Sequence, residues 1–113
     1  MLCIFCKIIS GETPAAIIYR DDQVTAFRDI HPIARTHILI IPNRHISSLN
    51  ELEAAGEALI GHMVMVAKKL ATQEGVAEDG YRLMINTGVH GGQTIQHLHL
   101  HLIAGKLAHF FLG

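Results

Sequence analysis

His97-Leu98-His99-Leu100-His101-Leu102-Ile103 is the stretch whose reading decides the fold. Side chains alternate across a β-strand, so residues two apart share a face. As a strand, this segment puts Leu98, Leu100 and Leu102 on one face and His97, His99 and His101 on the other. The leucine face is what a core requires. The histidine face is not: imidazoles spaced ~6.6 Å apart add little apolar area and repel one another once protonated. Such a row is either a solvated surface or a site that uses several imidazoles together, as nucleophile, acid or base, or metal ligands.

The segment just before it favours a site. Gly88-Val89-His90-Gly91-Gly92-Gln93-Thr94 lies between two predicted strands. Gly91-Gly92 allows backbone N–H groups to turn inward as an anion nest. The loop lacks the Gly-Lys-Ser/Thr ending and following helix of a Walker A motif. A nest beside an imidazole row points to a phosphate set against a nucleophile.

Outward from this centre, Tyr81–Thr87 reads as the preceding strand and Ala104-Gly105 as the break after the histidines. The most hydrophobic strand is His37-Ile38-Leu39-Ile40-Ile41-Pro42, placed centrally and ended by its proline. Ile17–Arg20 and Val24–Asp29 form a hairpin around Asp21-Asp22-Gln23, and residues 30–35 form a loop containing Pro32. Phe5–Ser10 reads as a short helix closed by Gly11. One long helix is expected from Asn50 to Glu74, with Asn50 as N-cap, Glu53 completing a capping box and Gly75 as the stop. His62 on that helix is assigned no role. The class is α+β with an antiparallel sheet.

At 113 residues the chain is one small domain, 1–113, and half its residues are apolar. A net charge of −1 and scattered Lys and Arg provide no field for nucleic acid or membrane. The apolar start carries Lys7 and ends by Gly11, too short for a signal peptide or span. Cys3 and Cys6 are no disulfide framework, so the expected setting is reducing and cytoplasmic.

HLHLHLI after GGQT, together with AFRDI, THILIIP, the helix ending KKLA and YRLMINTG, resembles the histidine triad (HIT) family, Hint branch, over nearly the whole chain. The resemblance implies a five-stranded antiparallel sheet with one long and one short helix, continued across a two-fold homodimer. It implies hydrolysis of the P–N bond of purine nucleoside 5′-phosphoramidates through a nucleotidyl-histidine. Dinucleoside polyphosphate hydrolysis, or nucleotide sensing with incidental catalysis, are the alternatives.

Carried over by position, His99 is the nucleophile, His101 binds phosphoryl oxygens, and His37 and His97 complete the cluster. Asn86, the backbone of Gly92 and the Thr94 hydroxyl hold the phosphate and leaving group, Gln93 is counted among the nucleotide-binding residues, and Asp29 accepts from the ribose hydroxyls. Ile4, Phe5, Ile8, Phe27, Arg28, Ile30 and Leu39 enclose the base. No catalytic cofactor is implied. Cys3 and Cys6 have zinc-knuckle spacing without a second pair. In some bacterial members such a pair, a His after the central strand and the first triad His bind structural zinc; here these are Cys3, Cys6, His45 and His97. Gln96, where an aromatic is common, and the tail from Lys106 depart from the family's text.

A catalytic zinc on the three triad histidines is a rival. On one straight strand they span ~13 Å, too far for one ion at ~2 Å; two of them with His37 could reach. Ile60, Val64 and Ala67 form an apolar strip beside the core stripe of the long helix, and Tyr81–Thr87 offers a sheet edge. Together they predict a homodimer, with Phe110 and Phe111 near the partner's site.

Overall fold

The computed structural model describes residues 3–107. Strands β1 (Ile17–Arg20), β2 (Val24–Arg28), β3 (Ala34–Pro42), β4 (Arg82–Ile85) and β5 (Leu100–Leu107) form one antiparallel sheet in the order β1-β2-β3-β5-β4. The apolar run at residues 38–41 occupies its centre because both faces there are covered. Alternation sends Ile38 and Ile40 to one face, with Val24, Ala26, Leu100 and Leu102, under helix α2 (Glu57–Gln73). It sends Leu39 and Ile41 to the other, with Phe27, under helix α1 (Ile4–Ser10). Met63, Val66 and Leu70 of α2 are buried in the larger core. Each is worth about 1.5–3 kcal/mol of burial, so docking rather than propensity holds this helix in place.

Both helices end as their sequences suggest. Gly11 caps α1 with its N–H on the Ile8 carbonyl. Beyond α2, the Val76 N–H returns to Ala71 O and the Gly75 N–H to Thr72 O, a Schellman motif with Gly75 left-handed.

The start of α2 differs from expectation. Asn50 is not its N-cap: Ser48 Oγ accepts the Asn50 N–H, and a 3₁₀ turn covers Leu49–Glu51. Leu52 and Glu53 are extended, Glu53 makes no side-chain cap bond, and a second 3₁₀ turn, Ala54–Gly56, precedes Glu57. Leu52 is the reason. It folds back to pack on the core over Gly56, where a Cβ would lie 2.7 Å from Leu52 Cδ1. An uninterrupted helix would carry it away.

β5 is not broken at Ala104-Gly105. It runs through a bulge opposite Arg35, since Thr36 pairs with Ala104 but Ala34 with Leu107. Gly105 supplies the positive φ of 92° the bulge needs, and a Cβ there would stand 2.9 Å from Arg35 Cβ. β4 is shorter than the Tyr81–Thr87 expected, and β3 starts earlier, at Ala34. Val64 and Met65 are exposed on α2, whereas Ala67 is buried within the core. Ala67 therefore leaves the strip expected to meet a partner. Phe110 and Phe111 lie outside the described residues. Among the described residues, no helix is long and apolar enough to cross a membrane.

Candidate active site

The histidine stretch keeps its two faces but is not one straight strand. The β5 ladder begins at Leu100, and His97 and His99 precede it. Pro42, with no N–H to extend a ladder, ends β3, and the Leu98 N–H is donated instead to Ile46 O at 2.7 Å. Leu98 remains in the larger core. The three histidines, freed from strict strand spacing, enter three different environments.

His99 is buried, with Phe5 edge-on to its ring at 5.2 Å between centroids. Its Nδ1 lies 2.6 Å from the His97 carbonyl oxygen. A nitrogen facing a carbonyl carries the proton, so the neutral ring has its lone pair on Nε2. That is the tautomer and orientation of a nucleophile.

His37 and His101 are diagonal neighbours on β3 and β5, because His101 pairs with Leu39. The Ile33 N–H is donated to His37 Nδ1 at 3.2 Å, which places the His37 proton on Nε2. From there it is donated to His101 Nδ1 at 2.9 Å. The remaining proton of neutral His101 then sits on Nε2, which is buried and, among the described residues, without a partner. Burial, then the neighbouring His99 and His37, push the His101 pKa down to about 4. Burial also lowers that of His37 against the raising effect of Asp29. Both rings are thus neutral at pH 7, and the pair presents one fixed N–H.

The glycine loop is tighter than a nest. The N–H groups of Gly91, Gly92 and Gln93 are donated within it, to Gly88 O, Val89 O and Gly88 O, at 3.2, 3.1 and 3.0 Å. A Cβ on Gly91 would meet Thr87 O at 2.2 Å, so only glycine closes this turn. The inward-turned Gly92 N–H expected from sequence is therefore already engaged. Thr94 is exposed and Asn86 half-buried, with Asn86 Nδ2 4.0 Å from the point a Gly92 Cβ would occupy.

The expected base and ribose residues divide. Phe5, Ile8, Phe27 and Leu39 pack with Ile41 in the smaller core, on the face that carries His37 and His101. Ile4 and Ile30 are exposed at 40% and 80%. Asp29 turns one oxygen to the His31 N–H at 2.8 Å and the other to His37 Nε2 at 3.4 Å. Arg28 does not join this face. Alternation along β2 turns it toward α2, where its guanidinium forks onto Glu74 at 2.8 and 2.9 Å.

His97 faces a second cluster. Its Nε2–H is donated to Pro42 O at 2.9 Å, leaving the Nδ1 lone pair directed at Cys3, Cys6 and His45. The distances from His97 Nδ1 are 3.3 Å to Cys3 Sγ, 3.7 Å to Cys6 Sγ and 3.2 Å to His45 Nδ1; Cys6 Sγ to His45 Nδ1 is 3.4 Å. A tetrahedral zinc with ordinary bond lengths needs edges of about 3.3 Å between nitrogens and about 3.5 Å between nitrogen and sulfur. The four atoms fit. The carbonyl behind His97 is the outer partner that zinc-binding histidines use to fix their tautomer.

Two features went unread in the sequence. Asp21, at the β1–β2 turn, binds His62 Nε2 of α2 at 2.7 Å and the Tyr19 hydroxyl at 2.8 Å. Burial works to raise its carboxyl pKa, but bonds from Val24 and Gln23 N–H, His62 and Tyr19 hold it well below the carboxylate range. His62 thus clasps the hairpin to α2. The other is how Gln93, expected among the nucleotide-binding residues, is held: it is buried and bonded to Gly88, Ser47 and Ile95, three partners that its place in the sequence does not reveal.

A buried imidazole with its Nε2 lone pair free, a second imidazole with a buried Nε2–H and a tight glycine turn stand together on one α+β sheet. Comparison with known proteins gives the family. A family described as scavenger mRNA decapping enzyme C-term binding matches residues 2–113. The purine nucleoside phosphoramidase of Escherichia coli (strain K12) is 57% identical over 103 residues, covering 91% of this chain and 87% of that protein. The crystal structure of a HIT family hydrolase from Legionella pneumophila Philadelphia 1 superposes with a TM-score of 0.91 at 45% identity, covering 96% of each chain. A zinc-bound histidine triad family protein from Mycobacterium smegmatis gives 0.81 at 34% identity, over 94% of this chain and 76% of that one. The chain belongs to the histidine triad (HIT) family.

Proposed function

We propose that the protein hydrolyses the P–N bond of purine nucleoside 5′-phosphoramidates. The observation that carries this reading is the pair of fixed tautomers: a His99 lone pair on Nε2 and a buried His101 Nε2–H with no partner among the described residues. A buried donor without an acceptor costs about 1–3 kcal/mol, and a phosphoryl oxygen relieves it. His99 Nε2 attacks phosphorus and the P–N bond breaks. The departing amine takes up a proton from solvent, relayed by the Thr94 hydroxyl. Water then attacks the phosphorus of nucleotidyl-His99, the P–Nε2 bond breaks, the water's proton passes to solvent, and the nucleoside monophosphate departs with the Nε2 lone pair restored. The His101 Nε2–H stabilises the charge on the phosphoryl oxygens throughout. Asn86 and Thr94 hold the phosphate, Asp29 the ribose, and Ile4 and Ile30 flank the base above the Phe5, Ile8, Phe27 and Leu39 cluster.

The same reading gives Cys3, Cys6, His45 and His97 a structural zinc, supported by the tetrahedral edges and by the zinc reported for the mycobacterial relative. Cys3 and Cys6 at the start of α1 and His45 after β3 would hold the ion, which when bound would cross-link those segments without entering the chemistry. The functional unit is a two-fold homodimer, supported by the terminal position of β4 and by exposed Val64 and Met65.

Single-turnover reaction with an adenosine 5′-phosphoramidate, quenched in base, tests the chemistry. The expected product is adenylyl-His99, followed by AMP under turnover. A panel ranking dinucleoside polyphosphates above phosphoramidates in kcat/KM would replace the substrate class, and the lack of a covalent adduct would remove the mechanism. Elemental analysis of untagged protein should return one zinc per chain. Sedimentation should return a dimer at micromolar concentration, dissociated by Val64→Glu.

A further inference from the structure

Gln93 stands inside the phosphate loop, where a ligand contact would be the natural assumption. Its surroundings say otherwise. A primary amide offers two donors and one acceptor oxygen. The Gly88 N–H is donated to Gln93 Oε1 at 3.0 Å, and Nε2 donates to Ser47 O at 2.7 Å and to Ile95 O at 2.9 Å. Two carbonyls on one side and one N–H on the other permit only this orientation of the amide. The residue is 7% exposed. No donor remains for a phosphate, and no surface remains for one to approach.

The three partners belong to three segments. Gly88 opens the loop, Ile95 leaves it, and Ser47 follows β3 two residues beyond His45. The Gln93 main-chain N–H also returns to Gly88 O at 3.0 Å, so the same two residues are bonded in both directions and the loop is closed as a ring. The neighbouring carbonyl, Ile46 O, accepts the Leu98 N–H between His97 and His99. Two consecutive carbonyls after His45 thus hold the phosphate loop and the nucleophile segment.

We infer that Gln93 is a positioning residue: its amide is the strut that fixes the glycine loop against the segment carrying His45, and it does not bind the nucleotide. The inference rests on the reading that this loop receives phosphate. Gln93→Met keeps the length and removes all three bonds. Gln93→Glu keeps an acceptor for Gly88 but sets a carboxylate against two carbonyls.

Amide hydrogen exchange on the free protein, with calorimetric titration of AMP and of adenosine, tests it. Gln93→Met should speed exchange of the Gly88 amide at least tenfold beyond what its change in global stability accounts for. Gln93→Glu should leave that amide protected. Both should weaken AMP about tenfold or more and leave adenosine within twofold. Diethyl pyrocarbonate should modify His99 at the wild-type rate, since the nucleophile's own bonds are untouched. If Gln93→Met does not fold, Gln93→Asn, whose shorter amide cannot reach all three partners, is read by the same exchange and titration in its place.

Weakened AMP with wild-type exchange at Gly88 in Gln93→Met, which lacks the bond to Gly88, would make Gln93 a ligand and overturn the strut. Equal weakening of adenosine and AMP would overturn it as well, because the damage would not be confined to the phosphate loop. Wild-type protein that binds no AMP would sink the proposed function, and Gly88 exchange would still decide whether Gln93 holds the loop.

Discussion

Two histidine clusters lie on one face of the sheet, and their proton positions make them opposites. In the His97 cluster, a carbonyl takes the Nε2 proton and turns a lone pair toward two thiols and a second imidazole. In the His37–His101 cluster, a backbone N–H occupies His37 Nδ1, so the proton stands on Nε2, between the two rings. Asp29, His37 and His101 are as close together as metal ligands. A metal there would need the His37 Nε2 lone pair, and with it a proton on Nδ1 facing the Ile33 N–H. The first arrangement has the lone pair that a cation needs, and the second has the N–H that an anion needs. The rival catalytic zinc, on two triad histidines and His37, fails on this tautomer and not on distance alone. His99 lies between the clusters, held by the carbonyl of His97.

The sharpest way to break this contrast is His99→Ala. It removes the lone pair and leaves both clusters whole. Turnover should fall roughly a thousandfold or more, with AMP affinity within about tenfold, ~1.4 kcal/mol. A variant retaining a tenth of the wild-type kcat would show that chemistry does not pass through His99.

Cys6→Ser attacks the metal side alone. The expected result is loss of stoichiometric zinc and a melting temperature lowered by about 10 °C, equivalent to roughly 2 kcal/mol for a domain of this size. Turnover at 25 °C should fall much less than for His99→Ala, because the ion enters no step. If chelation abolished turnover while the fold survived, the division between structural and catalytic clusters would be wrong.

The anion side is tested through its proton chain. His37→Leu takes away the N–H that fixes the His101 tautomer and should lower kcat/KM tenfold to a hundredfold, about 1.4–2.7 kcal/mol. His37→Gln, which can still donate, should recover much of that. The His101 ring resonances in the wild type should titrate with a midpoint near pH 4. Its folded pKa lies below the ordinary value of 6.5. Protonation therefore favours the unfolded chain, and this contribution to stability is full above pH 6.5 and lost as pH falls toward 4. A His101 midpoint at or above 6.5 would mean the ring is solvated and not poised as a buried donor.

Much of this was legible in the sequence, for identifiable reasons. The leucine alternation at 98, 100 and 102 fixed one face of β5, and residues 38–41 fixed the centre of the sheet, because period-two patterns are local. The α2 start lies later than the spacing predicts because Ser48 caps a separate 3₁₀ turn that contains Asn50 and because Leu52 is recruited by the core, a tertiary demand that propensity does not encode. The histidine spacing suggested one row. The structure divides it because Pro42 ends β3 and releases His97 and His99 from the ladder. Gln93 belongs among the loop residues the sequence brings forward, but only its three partners distinguish a strut from a ligand. Arg28 is the plainest misassignment: position in AFRDI gave it a role by resemblance, while strand alternation, also in the sequence, already put it opposite Phe27.

Arg28 therefore provides the smallest and most discriminating test. Its guanidinium forks onto Glu74 just beyond α2, on the face away from both histidine clusters. With 44% of its side chain exposed, the pair is a surface salt bridge. Such pairs contribute at most about 1 kcal/mol even with good geometry. Arg28→Met should cost no more than that in thermal unfolding, and the cost should shrink in high salt as screening weakens the pair. It should leave KM for a phosphoramidate within twofold, since the methionine replaces a group that faces α2. A tenfold rise in KM with unchanged stability would mean the arginine leaves Glu74 to reach the nucleotide, and the two faces of the sheet would not be as separate as their side chains make them.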